Sequence, residues 1–453
     1  MSSEALFQRF MEMSPVTVML RATLENVFSP QAIDAIFVDA AQEQYEGELL
    51  FSSVVDLLAL VVWRQKKSVG EAYKHAQEKF EVSVRSVYNK LNGTEMAVCR
   101  ELVRRPAVQL SAVVDTLHGR PPKLRGYRTR IIDGNKLTST DHRLKPLRRT
   151  RSGPLPGMAL AVLDPDRMLI VDLFCCEDGE AQERRIFPEV IPNAKPGELW
   201  IADRNFCTTG FLFGLAEQRA CFVIRQHAST LSWEKETRQK KVGSCETGPI
   251  YEQILHLRRG DDTLLVRRIT VKLYQPTESG ETEIHLLTNL PRHDADDPKV
   301  AELYLTRWTI ENAFQEIEQG LRSEINTLGY PGAALLGFAI AVVTYNVLSV
   351  AKWAIEREHT EAKREELSGY YLASIVASDY GGMMIALPEK QWTKRFADLS
   401  ARQMASRLRA CAKHVRPDIY RKNIRGPKRP RPKRTSGAVM HHVSTAELLN
   451  TQK

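Results

Sequence analysis

Arg130-Ile131-Ile132-Asp133-Gly134 and Leu199-Trp200-Ile201-Ala202-Asp203 are two short apolar runs that each close on an aspartate. Runs of this length, bounded by Gly, Pro and Asp, predict strands. Similar runs at 158–163, 167–174 and 221–225 bring the expected set to five strands, with helices over 180–190 and 209–218. The order is three strands, helix, strand, helix, strand, which implies an open mixed sheet covered by helices on its faces. In such sheets, active sites open at the carboxyl ends of strands near a switch in strand order. Both aspartates stand there. Each alone reads equally well as a turn former or helix cap, so the pair gains meaning only with a third carboxylate.

The segment 299–322 supplies that carboxylate, and its spacing predicts one long amphipathic helix. At about 100° per residue, Tyr304, Arg307, Glu311 and Glu318 fall within an arc of roughly 60°, beside an apolar stripe of Leu303, Ile310, Phe314, Ile317 and Leu321. One stripe is expected to bury against the sheet while its neighbour presents Tyr304, Arg307 and Glu311 together. Amphipathicity alone does not distinguish this from a solvated helix, and Arg307 could simply pair with Glu311 on the helix surface.

Outside this unit the pattern changes. Residues 226–298 read as a β-rich insertion, with strands at 250–257, 264–274 and 282–289 and Ser279-Gly280 as the last turn. Residues 1–118 read as helices, including a candidate helix-turn-helix over 68–80 and 83–91 whose second helix is expected to expose Arg85, Ser86, Asn89 and Lys90. A plain helical hairpin fits that stretch as well. The run 333–355 is apolar and long enough to cross a bilayer, but Thr344, Tyr345 and Asn346 at its middle predict a buried core helix instead. The remaining expected units are 119–225 and 299–357 as the two parts of the catalytic domain, 358–415 as helices, and 416–453 as a basic, disordered tail.

The 453 residues exceed what one core usually supports. Apolar residues at 43% and charged residues at 26% exclude wholesale disorder and a multi-span membrane protein. Seven scattered cysteines without a Cys-x-x-Cys pair indicate neither a disulfide framework nor a zinc knuckle. With no export signal at the start, these features predict a cytoplasmic protein. Its net charge of +9 is concentrated in two places: 120–151 holds eleven Lys/Arg against Asp133 and Asp141, and 416–434 holds nine against Asp418. Basic segments on an otherwise acidic body fit a polyphosphate partner, with nucleic acid first, since each cation laid on a phosphate releases a counterion.

The segments Asp133-Gly134-Asn135-Lys136, Ala202-Asp203-Arg204-Asn205 and Tyr304-x-x-Arg307-Trp308-x-Ile310-Glu311 resemble the three motif blocks of bacterial DDE transposases of the insertion-sequence-4-like family. The family's third block continues to a Lys, where this chain has Glu318. The resemblance covers roughly residues 128–355. It implies an α/β fold, an RNase H-like mixed sheet with a β-rich insertion between the second Asp and the Glu, flanked by helical N- and C-terminal regions. It further implies a site in which Asp133, Asp203 and Glu311 hold two Mg²⁺ ions, with Mn²⁺ as substitute, about 3.5–4 Å apart for phosphodiester chemistry. Arg307 is then expected to hold a phosphate, with Tyr304 beside the DNA backbone. Arg322 or the basic segments could stand in for the missing Lys. Arg143, Lys145, Arg148, Arg149 and Arg151 are expected to line the DNA path.

The implied activity is cut-and-paste DNA transposition: binding of the element's terminal inverted repeats, strand cleavage and strand transfer to target DNA, by a homodimer on double-stranded DNA and away from any membrane. A nuclease without strand transfer and a catalytically silent DNA-binding relic are the alternatives. Asp164 and Asp166 read as the ends of a hairpin turn. Glu183, Arg184 and Arg185 read as a solvated helix face.

Overall fold

Helices α1 (Ser3–Met13), α2 (Pro15–Val27), α3 (Pro30–Ala40), α4 (Phe51–Val62), α5 (Val69–His75), α6 (Val84–Asn92) and α7 (Met96–Leu117) precede the first strand in a computed structural model. The structure describes residues 3–44, 47–117, 121–137, 156–227, 231–277, 279–423 and 426. Serine side chains start several of these helices by accepting a backbone N–H, as Ser68 does from Glu71 and Ser83 from Ser86. The helix pair α5 and α6 thus exists, but Lys90 does not face solvent. Its ammonium donates to the Leu49 carbonyl at 2.6 Å and lies over the Phe37 ring.

Strands β1 (Arg128–Leu137), β2 (Gly157–Asp164) and β3 (Leu169–Cys176) form an antiparallel meander. After α8 (Phe187–Val190) come β4 (Glu198–Ala202), α9 (Thr209–Glu217) and β5 (Cys221–Arg225), with β4 parallel to both β1 and β5. The order β3-β2-β1-β4-β5 is an RNase H-like mixed sheet, as the resemblance implied. The span expected as one helix over 180–190 is instead a 3₁₀ turn, Glu183–Ile186, followed by the four-residue α8.

The β-rich insertion does not build a sheet of its own. Strands β6 (Trp233–Glu236), β7 (Lys240–Cys245), β8 (Gly248–Arg259), β9 (Asp262–Lys272) and β10 (Glu283–Thr288) extend the central sheet, because β10 pairs antiparallel with β5. Among the described residues one continuous sheet of ten strands results. Edge β5 had unpaired backbone groups, and β10 satisfies them.

Side chains alternate between two cores, as a pleated strand requires. Ile131, Ala161, Ile201 and Val223 face one side, and Ile132, Leu160, Ala202 and Phe222 the other. Phe187, Phe206 and Phe211 cover the second face. On the first lie α7 and a long apolar helix that follows α10 (Asp297–Leu305) and α11 (Trp308–Gly320). This helix, α12 (Pro331–Glu358), is long and apolar enough to span a membrane, yet its most apolar stretch is wholly buried in the protein. Its polar residues have protein partners: Asn346 donates to the Ile170 carbonyl and accepts from the Ile170 N–H, both at 2.8 Å, and Thr344 accepts from Trp63 Nε1 at 3.0 Å. The buried core helix predicted from those residues is what forms. Helices α13 (Gly369–Ala386), α14 (Glu389–Phe396) and α15 (Ala401–Ala412) complete the helical layer.

Candidate active site

Parallel pairing of β1 with β4 ends at Ile131 opposite Ile201. Asp133 and Asp203 each lie two residues further along, so they stand level at the carboxyl edge of neighbouring strands. Asp133 does not end its strand, as its sequence context suggested. β1 runs on to Leu137 against β2, and only its pairing with β4 stops. Asp203 follows β4 directly and accepts the Asn205 N–H at 2.8 Å, which caps a 3₁₀ turn, Arg204–Phe206. Asp133 accepts the Gly134 N–H at 2.9 Å.

The predicted single helix over 299–322 is two. Thr306 breaks it: its hydroxyl donates to the Leu303 carbonyl, and the backbone N–H groups of Thr306, Arg307 and Thr309 each reach back three residues rather than four. Helix α11 restarts at Trp308, packs on β1 and carries Glu311 in its first turn. Leu303, Ile310, Ile317 and Leu321 are buried, as the apolar stripe predicts.

Arg307 sits at the break and joins the site. Its Nη1 donates to Glu311 Oε1 at 2.6 Å and to Asp133 Oδ2 at 3.3 Å. The surface pair with Glu311 therefore exists, but the residue is only 9% exposed and reaches the sheet as well. Its Nε is buried with no hydrogen-bond partner. Tyr304 is buried rather than presented, and burial raises its hydroxyl pKa while neighbouring Arg307 opposes the rise.

Burial pushes the Asp133 carboxyl up to about 6, and the charge of Asp203 adds to this, while the Gly134 N–H and Arg307 act in the opposite direction. A fourth carboxylate was missed. Glu183, read from sequence as solvated, packs against Gly134, where an added Cβ would stand 3.1 Å from its Cδ. Its carboxyl is pushed up to about 7, first by burial and then by Asp203 and Asp133, against a hydrogen bond from Asn205. Topology offered the signal: β3 runs in the same direction as β1 and β4, so the chain leaving β3 emerges at the edge that carries both aspartates.

Other expected contributors lie elsewhere. Glu318 is exposed on α11. Arg322 donates to the Lys66 and Lys67 carbonyls, which takes it away from the role of the family's Lys. Arg143, Lys145, Arg148, Arg149 and Arg151 lie outside the described residues. Their segment leaves β1 after Leu137, the residue paired with Gly157 at the start of β2. Asp164 is buried in the hairpin and bound at 2.8 Å by both Arg130 and Arg167, the structural role expected of it.

The sequence profile of the family described as transposase DDE domain matches residues 124–347. Residues 124–347 form a domain of the DDE transposase family. The candidate transposase y4zB of Sinorhizobium fredii is 28% identical over 207 residues, covering 44% of this chain. The match spans 55% of that relative's length. A cryo-electron microscopy structure of the piggyBac transposase synaptic complex with hairpin DNA covers 94% of this chain and 87% of its own, at 10% identity and a TM-score of 0.37. DDE transposases as a family act on DNA through strand cleavage and transesterification and use divalent metal ions.

The donor chemistry of this domain suits such ions, since Asp133, Asp203, Glu311 and Glu183 offer the hard oxygens that Mg²⁺ takes. Among the described residues no three such side chains close around one point. Arg307 stands between Asp133 and Glu311, so joint binding of a cation requires the guanidinium to give way.

Proposed function

We propose that this DDE transposase moves the DNA element that encodes it: it binds the terminal inverted repeats, cleaves there and joins the freed 3′ hydroxyls to target DNA by a cut-and-paste route with Mg²⁺. The observation that carries the reading is the level placement of Asp133 and Asp203 at one sheet edge, with Glu311 tied to Asp133 through Arg307. Asp133, Asp203 and Glu311 are the proposed ligands. Divalent cations held by them supply Lewis-acid polarisation of the phosphate and activation of the attacking oxygen.

The chain's own groups do the rest. Backbone N–H groups of Gly134 and Asn205 orient the two aspartates before substrate arrives. Arg307 has a free Nε and exchanges its carboxylate contacts for a DNA phosphate, a charge-assisted bond. Tyr304 supports that arginine from below. Arg143, Lys145, Arg148, Arg149 and Arg151, in the segment that follows β1 in the sequence, neutralise further phosphates. The helical region 1–118 recognises the element end, with Arg85, Ser86 and Asn89 on α6 as contacts, and 416–453 adds charge. Residues 119–225 and 299–357 form the catalytic unit around the insertion 226–298. Synapsis of two ends calls for a homodimer, working in the cytoplasm.

The test incubates the full chain and Mg²⁺ with DNA carrying the inverted repeats that flank its gene, beside Asp133→Ala, Asp203→Ala and Glu311→Ala. Breaks at the repeat tips followed by joining, made only by the unaltered protein, support the reading. Breaks without joining point to a nuclease. End binding with no breaks in Mg²⁺ or Mn²⁺ overturns it in favour of a silent DNA-binding protein.

A further inference from the structure

Glu183 occupies a place that ordinary stability does not explain. It is carried by the 3₁₀ turn, Glu183–Ile186, at the edge where β1 and β4 end, and its carboxylate rests against the backbone of Gly134. That contact needs residue 134 to lack a side chain, since a Cβ there would overlap Oε1 and crowd Cγ at 3.3 Å. Gly134 is an ordinary extended strand residue without positive φ, so its backbone does not demand glycine. The requirement comes from Glu183.

The neighbours of this carboxylate are mainly of its own sign. Asp203 and Asp133 repel it, while the Asn205 side chain donates one hydrogen bond and Lys136 attracts it. A glutamine would keep an oxygen to accept from Asn205 and would remove the repulsion. Placing a charge among like charges, partly out of water, is unfavourable unless a cation joins them.

We propose that Glu183 is a fourth carboxylate ligand of the divalent-cation site, on the Asp133–Asp203 side, and that Gly134 is glycine to admit it. This rests on the cation site proposed above. Arg307 links Asp133 to Glu311 at one end of the site, and Glu183 stands at the other against Gly134, the chain neighbour of Asp133.

The test is Mn²⁺ binding to the full chain without DNA, followed calorimetrically, for the unaltered protein, Glu183→Gln, Gly134→Ala, the double variant and Asp133→Asn, with melting temperatures in EDTA. Glu183→Gln is expected to weaken Mn²⁺ binding roughly tenfold or more, on the scale of lost metal-site contacts. Gly134→Ala should weaken it similarly by displacing the carboxylate, and the double variant should lose no more than either. The melting temperature of Glu183→Gln in EDTA should hold or rise, whereas a merely structural Glu183 would lower it. Unchanged Mn²⁺ affinity in Glu183→Gln alongside loss in Asp133→Asn overturns the assignment of Glu183 and leaves the cation site standing. No Mn²⁺ binding by the unaltered protein overturns both.

Discussion

Nη1 of Arg307 lies 3.3 Å from Oδ2 of Asp133, so a residue at the break between two helices is tied to strand β1 of the sheet. The same nitrogen holds Glu311 at 2.6 Å. A cation placed among these carboxylates competes with the guanidinium. Arg307→Ala is therefore expected to leave Mn²⁺ affinity equal or tighter while lowering end cleavage by about 10²-fold or more, the usual cost of a lost charge-stabilising donor. Calorimetry on the DNA-free protein and a cleavage time course read the two effects separately. Weaker Mn²⁺ binding in the variant would show that Arg307 organises the ligands instead of competing with the ion.

Asp133 gives a pH signature in EDTA. Its folded pKa of about 6 lies above the ordinary value of 3.8, so the folded chain holds this proton more tightly than the unfolded one. The associated stability is complete below pH 3.8 and is lost as pH rises through about 6. Asp133→Asn should then raise stability at pH 7.5, on the order of 1–3 kcal/mol, with little gain at pH 4. Thermal melts at both pH values check this. Equal effects at the two would contradict the raised pKa.

Lys352 is 1% exposed in the middle of the helical layer and donates to Glu316 at 2.7 Å. Burial lowers its pKa to about 8, with Glu316 acting against the shift. Stability from this group is therefore full above the ordinary value of 10.5 and falls as pH drops through about 8. Removing one partner strands the other, so Lys352→Met should cost on the order of 3 kcal/mol at pH 7.5. Adding Glu316→Leu should recover most of it. Urea titrations of the single and double variants decide the point, and an additive loss would mean the pair is not an energetic unit.

Asn346 pairs with both backbone groups of Ile170 on the edge strand β3. Asn346→Leu matches its size but leaves a buried N–H and C=O unsatisfied, at an expected cost of about 2–4 kcal/mol. Chemical denaturation of the variant measures it. A neutral result would require another partner for Ile170.

Much of the architecture was legible along the chain. The apolar runs ending at Asp133 and Asp203 became β1 and β4, and Thr344 and Asn346 correctly marked α12 as a core helix. What the sequence concealed involved contacts between distant residues. Nothing local distinguishes a helix that continues through Thr306 from one that the Thr306 hydroxyl interrupts, because threonine is compatible with both. Glu183 and Arg184 look alike to a hydropathy pattern, although one faces Gly134 and the other solvent.

By itself, then, the sequence determined the strand and helix types, the spacing of the three acidic motifs and the concentration of positive charge, because these follow from short-range periodicity and composition. Only the tertiary structure decided that Asp133 and Asp203 stand level, that Arg307 bridges to the sheet, that Glu183 packs against Gly134 and that the insertion continues the main sheet through β10. Those outcomes depend on register and on packing between elements far apart in the chain, and a carboxylate's electrostatic environment exists only once those elements have met.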